Sequence, residues 1–125
     1  MNKMVLSILI LAVLFLIVKR IGGGGARISA KDVHALLASD EEVVLVDVRT
    51  EAEYQNGHID GAIHLSLYDI GAERPPVLSD LDAPIILYCQ SGARSGIARR
   101  KLKALGYTNV RDMGGLTFWR YGLVK

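Results

Sequence analysis

Two uninterrupted apolar runs constrain the fold of this chain more than any other feature. Residues 43–46 and 85–88 contain no charged side chain and are rich in β-branched residues. A run without polar alternation is typical of a strand buried on both faces, as in a parallel sheet covered by helices. Asp47 follows the first run and Cys89 follows the second. Because the active crevice of such sheets lies beyond the carboxyl ends of the strands, these two residues are expected to share one rim.

Helical patterns lie around the apolar runs and predict an α/β arrangement. Ser29, with Asp32 three residues later, is typical of a capped helix start. Residues 95–105 place their apolar side chains on one face of a helix. Alternating strands and helices predict an α/β fold with a central, mainly parallel sheet flanked by helices. Shorter helical segments are predicted over 51–55 and 116–121, and further strands over 62–65 and 107–111.

An uncharged apolar run over residues 4–18 precedes this domain. It is shorter than the roughly 20 residues that cross a bilayer as a helix. Lys3 before the run, and Lys19 and Arg20 after it, can reach the interfaces and make up part of the difference. One N-terminal hydrophobic helix is therefore predicted, followed by flexible glycines. The predicted organisation is a transmembrane or signal-anchor segment over 1–21, a glycine-rich linker over 22–27 and a globular domain over 28–125.

The charges around the apolar run predict its orientation. Lys19, Arg20, Arg27 and Lys31 follow the run, whereas Lys3 precedes it. Positive charge favours the cytoplasmic side, so we expect a single-pass protein of the inner membrane with its domain on the cytoplasmic face. Export to the periplasm by a cleaved signal peptide is the alternative, although no small-residue cleavage site ends the run.

Composition excludes several kinds of function. The formal net charge is only +2, so nothing in the sequence indicates a nucleic-acid partner. The chain has one cysteine, which excludes an internal disulfide and a zinc site built on several cysteines. The sequence predicts no metal site and no cofactor.

The segment that begins at Cys89 carries the candidate chemistry. A buried strand delivers this cysteine to a short loop that leads into a helix, so loop amides can form an anion-binding nest. The first helical turn adds unpaired N–H groups and the positive end of the helix dipole, and both stabilise a thiolate. Gly92 lets the loop curl, and Arg94 can bind an anionic substrate through its guanidinium fork. Cys89 is therefore the candidate nucleophile. The candidate substrate-binding loop consists of Gln90, Ser91, Gly92, Ala93, Arg94 and Ser95.

Several separate segments of the chain resemble the rhodanese family, in the order in which that family has them. The matching segments are Asp47-Val48-Arg49, Glu53-Tyr54, the stretch from Gly57 to Ala62, the stretch from Tyr88 to Ser95, and Gly114-Gly115 with Trp119. The resemblance covers nearly all of residues 26–125. One departure is His64, where relatives often carry asparagine. The resemblance implies a rhodanese-like fold.

The resemblance also implies an activity, that of a sulfurtransferase which holds sulfur as a persulfide on Cys89. The donor is expected to be of the thiosulfate type or a protein persulfide, and the acceptor a thiophilic small molecule or protein. Asp47 and Arg49 are expected to form a supporting ion pair near the strand end. His58 is expected to pack or to form hydrogen bonds in its glycine-flanked motif rather than to act as a base.

Two other functions remain open from the sequence. One is a membrane-tethered binding or regulatory module that uses the same fold without turnover, although the intact cysteine counts against it. The other is a phosphatase or arsenate reductase, whose relatives place five residues between cysteine and arginine. Four residues separate Cys89 and Arg94 here, and the smaller loop favours sulfur over a tetrahedral phosphoryl or arsenate group.

Overall fold

One parallel sheet forms the centre of the computed structural model. The structure describes residues 2–23 and 25–125, and in the first helix it describes side chains only as far as residue 13. The strands lie in the order β2-β1-β3-β4. The strands are β1 (Val44–Asp47), β2 (Ile63–His64), β3 (Ile85–Cys89) and β4 (Val110–Gly115). The helices are α1 (Lys3–Gly23), α2 (Ala30–Leu37), α3 (Glu51–Gln55) and α4 (Ala93–Ala104), with 3-10 helices at Leu67–Asp69 and Leu116–Phe118.

The two apolar runs form the adjacent central strands. Strands β1 and β3 are parallel, with Val46 opposite Leu87 and Asp47 opposite Tyr88. Parallel pairs on the outer sides join β1 to β2 and β3 to β4. The predicted α/β fold with a central parallel sheet is confirmed, and Asp47 and Cys89 end their strands at the same edge.

Strand β3 sends side chains to a different core on each face of the sheet. Ile85, Leu87 and Cys89 pack into the cluster that also contains α4. Ile86 and Tyr88 pack into the cluster that contains α2. This alternation follows from the two-residue period of a strand. Because both faces are covered, all five positions favour apolar side chains, which explains the unbroken run in the sequence.

The helix starts are set by local capping. The Ser29 side chain accepts a hydrogen bond from the Asp32 amide and caps α2, as predicted. Thr50 and Glu53 form a reciprocal capping box at the start of α3. Helix α4 begins at Ala93, two residues before its predicted start. Its N-cap is Gly92, whose φ of 104° turns the chain directly from the loop into the helix.

The last third of the chain differs most from its prediction. Strand β4 runs on through Gly114 and Gly115, beyond the end of the strand predicted over 107–111. A register shift opposite the Leu87/Tyr88 step skips Met113, so that Gly114, whose φ is 91°, pairs with Tyr88. The predicted strand over 107–111 begins only at Val110, and the predicted helix over 116–121 is one 3-10 turn, Leu116–Phe118.

Helix α1 spans 21 residues and continues to Gly23, so it enters the segment that was predicted to be a flexible linker. Within the part of the chain that the structure describes, no helix is both long enough and apolar enough to cross a bilayer. The predicted transmembrane anchor is therefore not supported, in keeping with an apolar run shorter than the roughly 20 residues a span requires.

Replacing Leu87 with alanine tests the core. Leu87 is fully buried in the centre of β3, so Leu87→Ala removes packed atoms and leaves a cavity. We expect the free energy of unfolding to fall by about 2–5 kcal/mol, measured by urea denaturation of the full chain. Val77 is 54% exposed, so Val77→Ala is the control and should change stability by less than about 0.5 kcal/mol. Equal effects of the two changes would contradict the assigned core.

Candidate active site

The Cys89 sulfur lies at the floor of the loop that follows β3. Its Sγ atom accepts hydrogen bonds from the amide of Gly92 at 3.0 Å and from the amide of Ser95 at 3.4 Å. The thiol donates to the Ser95 hydroxyl oxygen at 3.5 Å, and that hydroxyl donates to the Gly92 carbonyl at 3.1 Å. Cys89 and Ser95 are both fully buried. The predicted nest is thus formed by one loop amide and one amide in the first turn of α4.

An ion pair braces the strand end beside the loop. Arg49 donates from Nε and one terminal nitrogen to the Asp47 carboxylate, the shortest contact being 2.7 Å. The same terminal nitrogen reaches the Gly57 carbonyl at 2.6 Å, and the other approaches the Gln90 side-chain oxygen at 3.4 Å. Burial opposes the charge on Arg49, but the hydrogen bond and charge of Asp47 raise the pKa of its guanidinium. The pair therefore connects β1 with the candidate loop.

Arg94 does not face an empty pocket. Its two terminal nitrogens donate to the two Glu53 carboxylate oxygens at 2.6 and 2.9 Å. The hydrogen bond from Arg94 lowers the pKa of Glu53 to about 2, and the hydrogen bond to Glu53 raises the pKa of Arg94. The role of Arg94 as a ligand for a substrate anion stays a prediction, because its fork is filled by a residue of the chain itself.

Strand β4 supports the loop from the opposite side. A Cβ atom built on Gly115 would lie 2.5 Å from the Gln90 carbonyl oxygen and 2.9 Å from the Ser91 backbone. The Thr117 hydroxyl donates to the same Gln90 carbonyl at 3.2 Å. Only glycine therefore allows β4 to approach the loop this closely.

The histidines near the motif form backbone contacts. His58 Nδ1 lies 2.9 Å from the Tyr54 carbonyl, and the His58 and Tyr54 rings are stacked with their centres 3.8 Å apart. His64 Nε2 lies 2.7 Å from the Arg49 carbonyl. Because a carbonyl only accepts, each of these nitrogens carries its proton and donates. This geometry suits the packing role expected of His58, and it gives His64 a place beside the supporting ion pair.

The structure brings most of the predicted site residues together. Cys89, Gly92 and Ser95 share the sulfur nest, and Asp47 and Arg49 reach the loop through Gln90. Ser91 and Ala93 contribute backbone to the loop and to the first turn of α4. Glu53 and Gly115 lie in segments that resemble the rhodanese family, but neither was predicted to be part of the site. The spacing of Thr50 and Glu53, typical of a capping box, was an available signal for the former.

Comparison with known proteins decides the family. The sequence profile described as "rhodanese-like domain" matches residues 29–121. The chain belongs to the rhodanese family. A sulfurtransferase of Allochromatium vinosum is 38% identical over 99 residues, which are 78% of this chain and 91% of that protein. The thiosulfate sulfurtransferase GlpE of Pseudomonas entomophila is 38% identical over 95 residues, 75% of this chain and 84% of that protein.

Solved structures agree with this placement of the rhodanese fold. The human single-domain sulfurtransferase TSTD1 superimposes with a TM-score of 0.69 at 27% identity, covering 77% of this chain and 96% of that one. With relatives named as sulfurtransferases matching most of the domain, the chain is a rhodanese-type sulfurtransferase.

The close approach of β4 to the rhodanese loop predicts the effect of Gly115→Ala. The added methyl group must displace the Gln90 and Ser91 backbone, which moves the amides away from Sγ. We expect persulfide formation on Cys89 to slow by about 10- to 100-fold. The rate is measured by quenching the reaction at set times and determining the intact mass of the protein. Gly71 has open space around its Cα and no positive φ, so Gly71→Ala is the matched control. A wild-type rate in Gly115→Ala would contradict this role of the glycine.

Proposed function

We propose that Cys89 carries sulfur as a persulfide between a thiosulfate-type donor and a thiophilic acceptor. The observation that carries this proposal is the pair of amide hydrogen bonds to Sγ, from Gly92 at 3.0 Å and Ser95 at 3.4 Å. Amides that donate hydrogen bonds in this way stabilise a thiolate for attack. They can also bind the negatively charged outer sulfur that forms afterwards. The sequence relatives named as thiosulfate sulfurtransferases support the choice of donor.

The proposed reaction has two steps. The Cys89 thiolate forms an S–S bond to the outer sulfur of thiosulfate, the S–S bond of the donor breaks, and sulfite leaves with the electron pair. A nucleophile such as cyanide then attacks the outer persulfide sulfur, the bond to Cys89 breaks, and thiocyanate leaves while the thiolate is restored. This is covalent catalysis of the ping-pong type. In the same two steps, a protein persulfide can take the place of thiosulfate as donor, and a protein thiol can take the place of cyanide as acceptor.

The residues around Cys89 have distinct proposed parts in these steps. The loop from Gln90 to Ser95 supplies the amides and encloses the transferred sulfur. The Asp47–Arg49 pair positions the loop through Gln90 and does not touch the reacting sulfur. His58 has a supporting part through Tyr54.

Replacing Cys89 tests the persulfide directly. The full chain is incubated with thiosulfate, and its intact mass is expected to increase by one sulfur atom. Cyanide should remove this sulfur, and Cys89→Ser should gain none while keeping the wild-type circular dichroism spectrum. The single cysteine of the chain makes the assignment unambiguous. A sulfur gain in Cys89→Ser would contradict the proposed nucleophile, and an unchanged wild-type mass would contradict thiosulfate as donor.

We propose separately that the sulfurtransferase domain faces the cytoplasm. The support is the distribution of charge in the sequence, since Lys19, Arg20, Arg27 and Lys31 follow the apolar run and Lys3 precedes it. Periplasmic export is the competing arrangement. Attachment of the protein to a membrane is a further part of this proposal, and it depends on the N-terminal residues alone.

Reporter enzymes joined through a flexible linker after Lys125 test this location. A reporter that works only in the cytoplasm is expected to be active, and one that works only after export is expected to be inactive. Fractionation of the same cells, with a chain lacking residues 1–21 as control, shows whether those residues hold the protein at the membrane. Activity of the exported reporter alone would contradict the cytoplasmic location.

A further inference from the structure

The positive charge of Arg94, in the loop after the nucleophile, is already matched by a negative charge of the same chain. Arg94 lies in the first turn of α4, directly after the loop that begins at Cys89, yet both of its terminal nitrogens are directed at Glu53. This end-on arrangement, with one hydrogen bond from each terminal nitrogen, is a strong, charge-assisted contact. An anionic substrate can bind this fork only by competing with Glu53.

Glu53 is held in place by more than Arg94. Its Oε1 atom accepts hydrogen bonds from the Thr50 amide at 3.1 Å and from the Thr50 hydroxyl at 3.0 Å. The Glu53 amide in turn donates to the Thr50 hydroxyl oxygen at 3.3 Å. The capping box of α3 therefore fixes the carboxylate before any substrate arrives, and its two side chains are part of a rigid helix start.

The second arginine beside the loop offers no alternative anion site. Arg49 is 4% exposed, and its donors are directed at Asp47, Gly57 and Gln90. Each of these two arginines is thus paired with a carboxylate, and each pair is close to neutral. The amides of Gly92 and Ser95, in contrast, are directed at the sulfur and are dipoles without net charge.

We propose that Glu53 is a specificity-determining residue of the sulfur-donor site, which by occupying the Arg94 fork makes the site discriminate against dianionic donors in favour of donors with a single charge. This inference rests on the proposed persulfide function. The relevant distinction is between thiosulfate, with two charges, and an organic thiosulfonate or a thiol persulfide, with one. Paired with Glu53, the Arg94 guanidinium contributes almost no net charge, whereas an unpaired guanidinium would attract a dianion about twice as strongly as a monoanion.

Two donors that differ by one charge make this testable with the same chemistry. Methanethiosulfonate and thiosulfate both transfer an outer sulfur to the Cys89 thiolate. In each case the donor S–S bond breaks and a new one forms to Cys89. The leaving group that takes the electron pair is methanesulfinate in the first case and sulfite in the second.

The experiment compares the second-order rate constants of persulfide formation with the two donors in wild type and in Glu53→Gln. The glutamine keeps an oxygen that can accept from Arg94 and Thr50 but removes the charge. We expect the thiosulfate-to-thiosulfonate ratio to rise by up to about fivefold, the effect of one unit charge at close range in a water-like dielectric. The rise should shrink towards 1 M salt because screening acts on charge alone.

Two further variants separate charge from shape. Glu51 is an exposed acid in the first turn of the same helix, so Glu51→Gln removes the same formal charge away from Arg94 and should leave the ratio at its wild-type value. Glu53→Asp keeps the carboxylate and should keep the wild-type preference. A purely structural role of Glu53 would slow both donors equally.

An unchanged ratio in Glu53→Gln, or an equal rise in Glu51→Gln, would overturn the proposal. Loss of folding in Glu53→Gln, with Glu53→Asp folded, would also overturn it, because the carboxylate would then serve the fold. These failures are distinct from failure of the proposed function. If Cys89→Ser abolishes transfer from both donors while the ratio stays constant, the persulfide function stands and only the role of Glu53 is wrong.

Discussion

The two amide hydrogen bonds to the Cys89 sulfur are the contacts on which the rest of the site depends. They exist because β3 ends at the sheet edge, because Gly92 adopts a φ that turns the chain at once, and because α4 starts at the next residue. The turn at Gly92 depends on where β3 ends, and the start of α4 depends on that turn. The covered sheet supplies the fixed strand end, and the two cores supply the covered sheet.

The charged side chains and the backbone amides of this site have different roles. The Asp47–Arg49 and Glu53–Arg94 pairs are nearly neutral units that join β1, α3 and the loop. The amides of Gly92 and Ser95 are directed at the sulfur, and in the proposed reaction they stabilise its negative charge. Preorganised dipoles of this kind need no rearrangement when a negative sulfur forms, which is why they suit a charge that moves along an S–S bond.

The sequence predicted the parts of this arrangement that depend on local pattern. Unbroken apolar runs predicted the central strands, and Cys89 between a strand and a helix predicted the sulfur nest. What it did not predict depends on contacts between distant segments. The partner of Arg94 lies 41 positions away in Glu53, and the need for Gly115 arises only where β4 meets the loop. The helix predicted over 116–121 is likewise shorter, because β4 continues to Gly115 and only Leu116–Phe118 form a 3-10 turn.

Cys89 is the only cysteine of the chain and is completely enclosed. A protein with two neighbouring thiols can expel a bound sulfur by closing its own disulfide, but this chain has no second thiol for that reaction. Once Cys89 holds the persulfide, its outer sulfur leaves only by transfer to another molecule. The lifetime of the persulfide form therefore depends on the concentration of acceptors. The protein stores sulfur when acceptors are scarce and transfers it rapidly when they are abundant.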